Sequence, residues 1–208
     1  MEIIRFENYD YISNTYIIKS EDKIYVVDPG SKDMSRVIEY LKENKLDLTA
    51  ILLTHGHFDH ILGLPEILTY KNVDVYIYDT EKDFLFDEKL SVLLWAQTNQ
   101  SYLNPCLENA NIITLKEGDI VDKFEIIHTP GHTSGSICYY NSEDKILISG
   151  DTMFKNGYGR VDLPTGSSED MWKSIGKILK LDKETVIYPG HGDDTTVSKE
   201  YSFYYAGY

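Results

Sequence analysis

A chain of 208 residues suits one domain of ordinary size with a sizeable core, and 42% hydrophobic residues against 26% charged ones exclude a disordered chain. A formal net charge of −14 argues against a nucleic-acid partner, because phosphate binding needs clustered Lys and Arg. No apolar run approaches membrane-spanning length and no basic-then-apolar leader opens the sequence, so a cytoplasmic protein with no membrane partner is the expectation.

In chain order, Thr15–Ile18 and Lys23–Asp28 read as a hairpin that ends in the turn Pro29-Gly30. Asp33 then caps a helix with Val37, Ile38 and Leu41 on one face. Ala50–Leu53 is a short, branched, bounded run, the pattern of a buried strand, and the spacing of Ile61, Leu62, Leu64, Ile67 and Leu68 predicts a helix opening near Asp59. Val73–Tyr78 is a further strand, and residues 81–104 combine helical spacing (Leu90, Leu93, Leu94) with loose flanks, as a lid would. Asn111–Leu115, Phe124–Ile127, Ser136–Tyr140, Lys145–Ser149 and Thr185–Tyr188 are strand-like, and Met171–Leu181 is a helix with Trp172, Ile175, Ile178 and Leu179 as its apolar face. Two face-to-face sheets with helices outside satisfy this order, an α+β architecture. The Tyr-rich tail, Tyr201 to Tyr205, is expected to pack on the body or on a neighbouring subunit. Cys106 and Cys138 make no disulfide framework and have no metal-type partner nearby, so both read as small core residues.

The chemistry concentrates between Thr54 and His60, where three of the six histidines and one aspartate fall directly after a strand. Positions two apart on extended backbone project to one side, so His55 and His57 can reach one ion, while Asp59 and His60 lie past the bend and face a second. His132 follows Thr129-Pro130-Gly131, Asp151 follows Ile148-Ser149-Gly150, and His191 follows Tyr188-Pro189-Gly190, each at a strand terminus beside Gly. Five imidazoles and two carboxylates suit zinc, manganese or iron, and a bridging carboxylate with water in the open positions makes a two-metal hydrolytic site. His128 sits on a strand ending at Pro130 and reads as a hydrogen-bonded structural histidine. Asp28 reads as accepting a bond from a ligand imidazole and fixing its tautomer.

The motif His55-x-His57-x-Asp59-His60, then His132, Asp151 and His191, resembles that of the metallo-β-lactamase fold superfamily, and Asp28-Pro29-Gly30 and Thr129-Pro130-Gly131-His132-Thr133 match its landmarks. Gly150-Asp151-Thr152-Met153-Phe154, Gly157 to Asp162 and Tyr188-Pro189-Gly190-His191-Gly192 look like the glyoxalase II-like branch. The resemblance implies a four-layer αββα sandwich over residues 1–208. It puts His55, His57 and His132 on one divalent ion, Asp59, His60 and His191 on the other, and Asp151 between them. It also implies a hydrolase in which Asp59 orients a metal-bridged hydroxide, and it makes Arg160, with Tyr158 beside it, the contact for a substrate carboxylate. Glyoxalase II carries a C-terminal helical domain that helps to hold glutathione, whereas this sequence ends soon after His191. A thioester, small and anionic, is therefore the expected substrate. A mononuclear iron persulfide dioxygenase and a lactonase on the same fold are the alternatives.

Overall fold

In the computed structural model, which describes residues 1–205, the chain forms two compact units, Met1–Thr114 and the remainder from Leu115. The first is built on a six-stranded sheet. Its edge strand β1 (Glu2–Glu7) pairs antiparallel with β2 (Asn14–Ser20), and β2 pairs with β3 (Lys23–Val27) as the expected hairpin. β4 (Leu48–Leu52) and β5 (Asp74–Tyr78) then add in parallel, and β6 (Ile112–Leu115) closes the order β1-β2-β3-β4-β5-β6. β1 was not expected, because only Phe6 on it is buried and an edge strand of that kind carries no alternation to read.

Helix α1 (Ser35–Glu43) buries Val37, Ile38 and Leu41; its N-cap is Met34, with no side-chain cap bond, and Asp33, expected to cap it, lies one residue earlier and accepts the Ser35 amide on Oδ1 at 3.0 Å. The helix expected from Asp59 onward is cut in two, α2 (Phe58–Ile61) and α3 (Leu64–Tyr70). Pro65 has no amide proton to carry the ladder across the break. The Gly63 amide turns instead to the Pro29 carbonyl at 2.7 Å. Residues 81–104 also differ from their helical reading. They form 3-10 turns at Asp79–Phe86, Leu93–Ala96 and Gln100–Tyr102 before the short α4 (Asn104–Leu107), and Leu94 is exposed while Leu93 is buried.

The second unit carries β7 (Ile120–Val121), β8 (Phe124–His128), β9 (Ile137–Asn141), β10 (Ile146–Gly150), β11 (Val186–Pro189) and β12 (Thr195–Thr196), in the order β12-β11-β10-β9-β8-β7. β10 and β11 are parallel and joined through α5 (Ser168–Ile178), the arrangement in which both strands end on the same side. α5 buries Met171, Ile175 and Ile178 against Cys138, Leu147 and Ile187. Trp172, expected on that face, is 52% exposed. Its ring instead meets Tyr158 and Tyr204 edge-on, with centroids 5.5 and 5.9 Å away.

The tail is the helix α6 (Val197–Tyr205), and it does pack on the body of its own unit. Tyr204 lies against the α5 cluster, and the fully buried Glu200 accepts from the Asn156 amide (2.9 Å) and the Thr195 hydroxyl (2.7 Å). Cys138 is buried with its thiol pushed up to about 11 by desolvation, and burial raises half-buried Cys106 likewise to about 11, so both stay protonated thiols at neutral pH. Among the described residues, no helix is long and apolar enough to cross a membrane.

Candidate metal centre

The first unit supplies four of the expected donors from one turn. β4 ends at Leu52, and His55, His57 and His60 follow with 2% or less of their surface exposed; Asp59 is half-buried on α2. The ring centroids of His55 and His57 stand 5.0 Å apart, and those of His55 and His60 4.2 Å.

The tautomers follow from the hydrogen bonds. Asp28 Oδ1 accepts the Thr54 amide at 2.8 Å, and its Oδ2 takes the Thr54 hydroxyl at 2.7 Å. The same Oδ2 lies 3.0 Å from His60 Nδ1. A carboxylate only accepts, so His60 carries its proton on Nδ1 and its lone pair on Nε2. Thr54 has spent its one proton on Asp28, so its Oγ1 accepts from His55 Nδ1, 3.1 Å away, which leaves His55 the same tautomer. One carboxylate thus sets two imidazoles with the lone pair on Nε2, where it can serve a ligand. Asp28 holds this place at φ 47°, in the left-handed region that Asp tolerates better than most residues.

Gly30 is required beside it. A Cβ there would fall 1.8 Å from the Asp59 carbonyl oxygen.

The second unit supplies His132, Asp151 and His191. The parallel strands β10 and β11 end side by side, with the Gly190 amide on the Gly150 carbonyl at 2.8 Å, so Asp151 and His191 leave adjacent strand termini. Asp151 Oδ2 lies 3.4 Å from His132 Nε2 and 3.5 Å from His191 Nε2. Those separations are long for hydrogen bonds. They match the edge of a tetrahedron: two ligands each about 2.1 Å from a cation stand about 3.4 Å apart. His132 Nδ1 faces the Arg160 carbonyl at 2.7 Å, and a carbonyl only accepts, so His132 is again an Nε2 donor.

The donors therefore fit divalent metal in atom type, and His55, His60 and His132 fit it in tautomer as well. His55, His57, Asp59, His60, His132, Asp151 and His191 are the candidate metal-holding groups among the described residues. His128 is not among them: its Nε2 sits 2.9 Å from the Ser134 carbonyl, the structural role expected of it.

Arg160 lies at the surface with both prongs of its fork on Asp162, Nε to Oδ1 and a terminal nitrogen to Oδ2 at 2.7 Å each. Tyr158 is partly exposed against Trp172.

Three contributors were not visible in the sequence. They are Thr54, the Arg160 carbonyl, and Glu81, whose Oε2 accepts the Gly56 amide at 2.9 Å between the two histidines. Gly159 lies so close to the site that a Cβ there would come within 2.2 Å of the Asp151 carbonyl oxygen and 3.0 Å of His132 Nδ1.

A strand-end cluster of this kind on this fold defines a metal-dependent hydrolase class, and the chain belongs to the metallo-beta-lactamase superfamily, whose family profile matches residues 8–191. It is 34% identical to a probable metallo-hydrolase of Bacillus subtilis over 192 residues, which cover 90% of this chain and 89% of the relative. It is 32% identical to a hydroxyacylglutathione hydrolase of Haemophilus influenzae over 187 residues, 86% of this chain and 85% of that one. The crystal structure of TTHA1623 in a di-iron-bound form matches with a TM-score of 0.84 at 26% identity, covering 95% of this chain and 96% of that one. The chain has the metallo-β-lactamase fold expected from its sequence, and it is a metallo-hydrolase of that superfamily.

Proposed function

We propose that this metallo-hydrolase uses two divalent ions to cleave a thioester that carries an anionic acyl or thiol part. In this reading His55, His57 and His132 serve one ion, Asp59, His60 and His191 the other, and Asp151 both. The observation that carries it is Asp151 Oδ2, one oxygen at tetrahedral-edge distance from an imidazole of each set, 3.4 Å from His132 and 3.5 Å from His191. Divalent metal in such a site lowers the pKa of water towards ~7 and polarises a carbonyl.

The chain's own groups do the rest. Asp28 and Thr54 hold the Nε2 lone pairs in place. The Asp59 carboxylate takes the proton of the attacking water. A thiolate leaves with little protonation, since a thiol has a pKa of about 8.5, whereas an amide nitrogen needs a strong proton donor. That favours thioesters, and the Haemophilus influenzae relative is named for one. Zinc suits the nitrogen and oxygen donors, as iron and manganese do. The same reading takes residues 1–208 as one functional domain, in the cytoplasm, acting on a small molecule.

Metal analysis of the purified protein, joined to a panel of thioesters, lactones and β-lactams, tests it. We predict close to two ions per chain and thioester turnover that a chelator abolishes. A single iron per chain with oxygen consumption on a persulfide, or faster turnover of a lactone or β-lactam, overturns the proposal.

A further inference from the structure

Glu81 is a fully buried carboxylate that the mechanism above does not use. Its placement follows from the sheet. β5 runs parallel beside β4, with Leu52 opposite Tyr76 and the Leu53 amide on the Tyr76 carbonyl at 2.9 Å. The two strands end together, so the 3-10 turn after β5 (Asp79–Phe86) arrives at the histidine turn after β4. Two of its side chains close on Gly56. Glu81 Oε2 accepts the Gly56 amide at 2.9 Å. Phe84 packs so tightly there that a Cβ on Gly56 would fall 2.3 Å from the Phe84 Cβ. The Phe84 ring also stands 6.1 Å from that of His57.

These contacts pose a problem and answer it. Phe84 leaves room only for glycine between His55 and His57, and glycine is the residue that restrains its own backbone least. The plane of the His55–Gly56 peptide sets how far the two imidazoles diverge. A loose plane there would spread their Nε2 atoms over many arrangements, most of them useless to one ion. The bond from the Gly56 amide to Glu81 Oε2 holds that plane by position.

We propose that Glu81 is a positioning residue: through the Gly56 amide it fixes the bite of His55 and His57, and so sets the affinity for the ion they serve. This rests on the metal reading above. The test is a chelator-competition titration with Zn2+ and Co2+ on the wild type and on Glu81→Gln, Glu81→Leu and Glu81→Asp, with melting of the metal-stripped proteins alongside. Gln keeps an acceptor oxygen at full reach and should stay within about threefold of the wild type. Leu removes the acceptor and Asp withdraws it, so each should weaken one metal equivalent by about tenfold to a hundredfold and alter the Co2+ absorption spectrum.

Leu and Asp variants that melt lower when stripped yet bind both equivalents as the wild type does would reduce Glu81 to a structural anchor. A Gln variant as weak as Leu would mean that charge and not position matters. Either result overturns the proposal, and if the Leu variant does not fold, Asp against Gln decides. A wild type that takes up no metal overturns the metal reading itself.

Discussion

The carboxylate of Asp28 takes the Thr54 amide, the Thr54 hydroxyl and the His60 imidazole, and by holding the hydroxyl proton it turns Thr54 into the acceptor for His55. Asp28→Asn puts a donor where three donors converge. We predict that it lowers metal content and cuts turnover by about tenfold to a hundredfold, with little change in the fold. Thr54→Val should cost less, since it disturbs His55 alone. Metal per chain and kcat, measured on both variants, check this; wild-type metal in Asp28→Asn would break the link. His132→Ala should lose metal while His128→Ala keeps it, because His128 spends its Nε2 on the Ser134 carbonyl. At this scale the candidate donors were legible, because imidazole and carboxylate chemistry at strand ends is written in the residue types. Their supports were legible only where they too were carboxylates, as Asp28 is. A hydroxyl such as Thr54 or a main-chain carbonyl such as that of Arg160 occurs everywhere in a sequence, and only the fold selects the one that matters.

Among the elements, strands and helices with one clean apolar face were readable, and those without one were not. β1 buries a single side chain, β7 and β12 are two residues each, and α6 mixes tyrosines around its girth, so none shows a period. Residues 81–104 carry helical spacing at Leu90, Leu93 and Leu94, yet the stretch folds as 3-10 turns that bury Phe84, Leu85 and Leu93. α5 was read three residues late at both ends, and its true start has a specific device: Ser167 Oγ accepts the Asp170 amide at 3.2 Å. We predict that Ser167→Ala costs about 1 kcal/mol, the usual worth of such a cap. For a chain of this size that is a fall of roughly 2–4 °C in Tm. Calorimetry checks it, and an unchanged Tm would mean that the Glu169 and Asp170 carboxylates in the first turn already suffice.

For the molecule as a whole, a net charge of −14 has to be reconciled with the anionic substrate proposed above. Two dications would still leave the chain strongly negative, so at long range it repels a carboxylate. Contact with the site is a separate matter, since close charge pairs are screened far less than distant ones, and the Debye length is about 8 Å at physiological salt. Arg160 is the group that the family resemblance assigns to the substrate, yet its fork is on Asp162. The hydrogen bond from Arg160 pulls the Asp162 carboxyl down from its ordinary 3.8 to about 2. A depressed carboxylate contributes above its unfolded value and loses that contribution only as pH falls through the folded one, so the pair is complete at neutral pH. In the proposed reading a substrate carboxylate would compete with Asp162 for the guanidinium. We predict that Arg160→Ala raises KM for a carboxylate-bearing thioester, that Asp162→Asn lowers it, and that neither moves KM for an uncharged thioester or the metal content. Added salt should raise kcat/KM for the anionic substrate, because it screens the long-range repulsion before it reaches the contact pair, and should leave the neutral one flat. A kcat/KM that falls with salt would mean that local positive charge already governs the approach. Equal changes in KM on both substrates in Arg160→Ala, with a lower Tm, would make the Arg160–Asp162 pair a surface brace and no clamp.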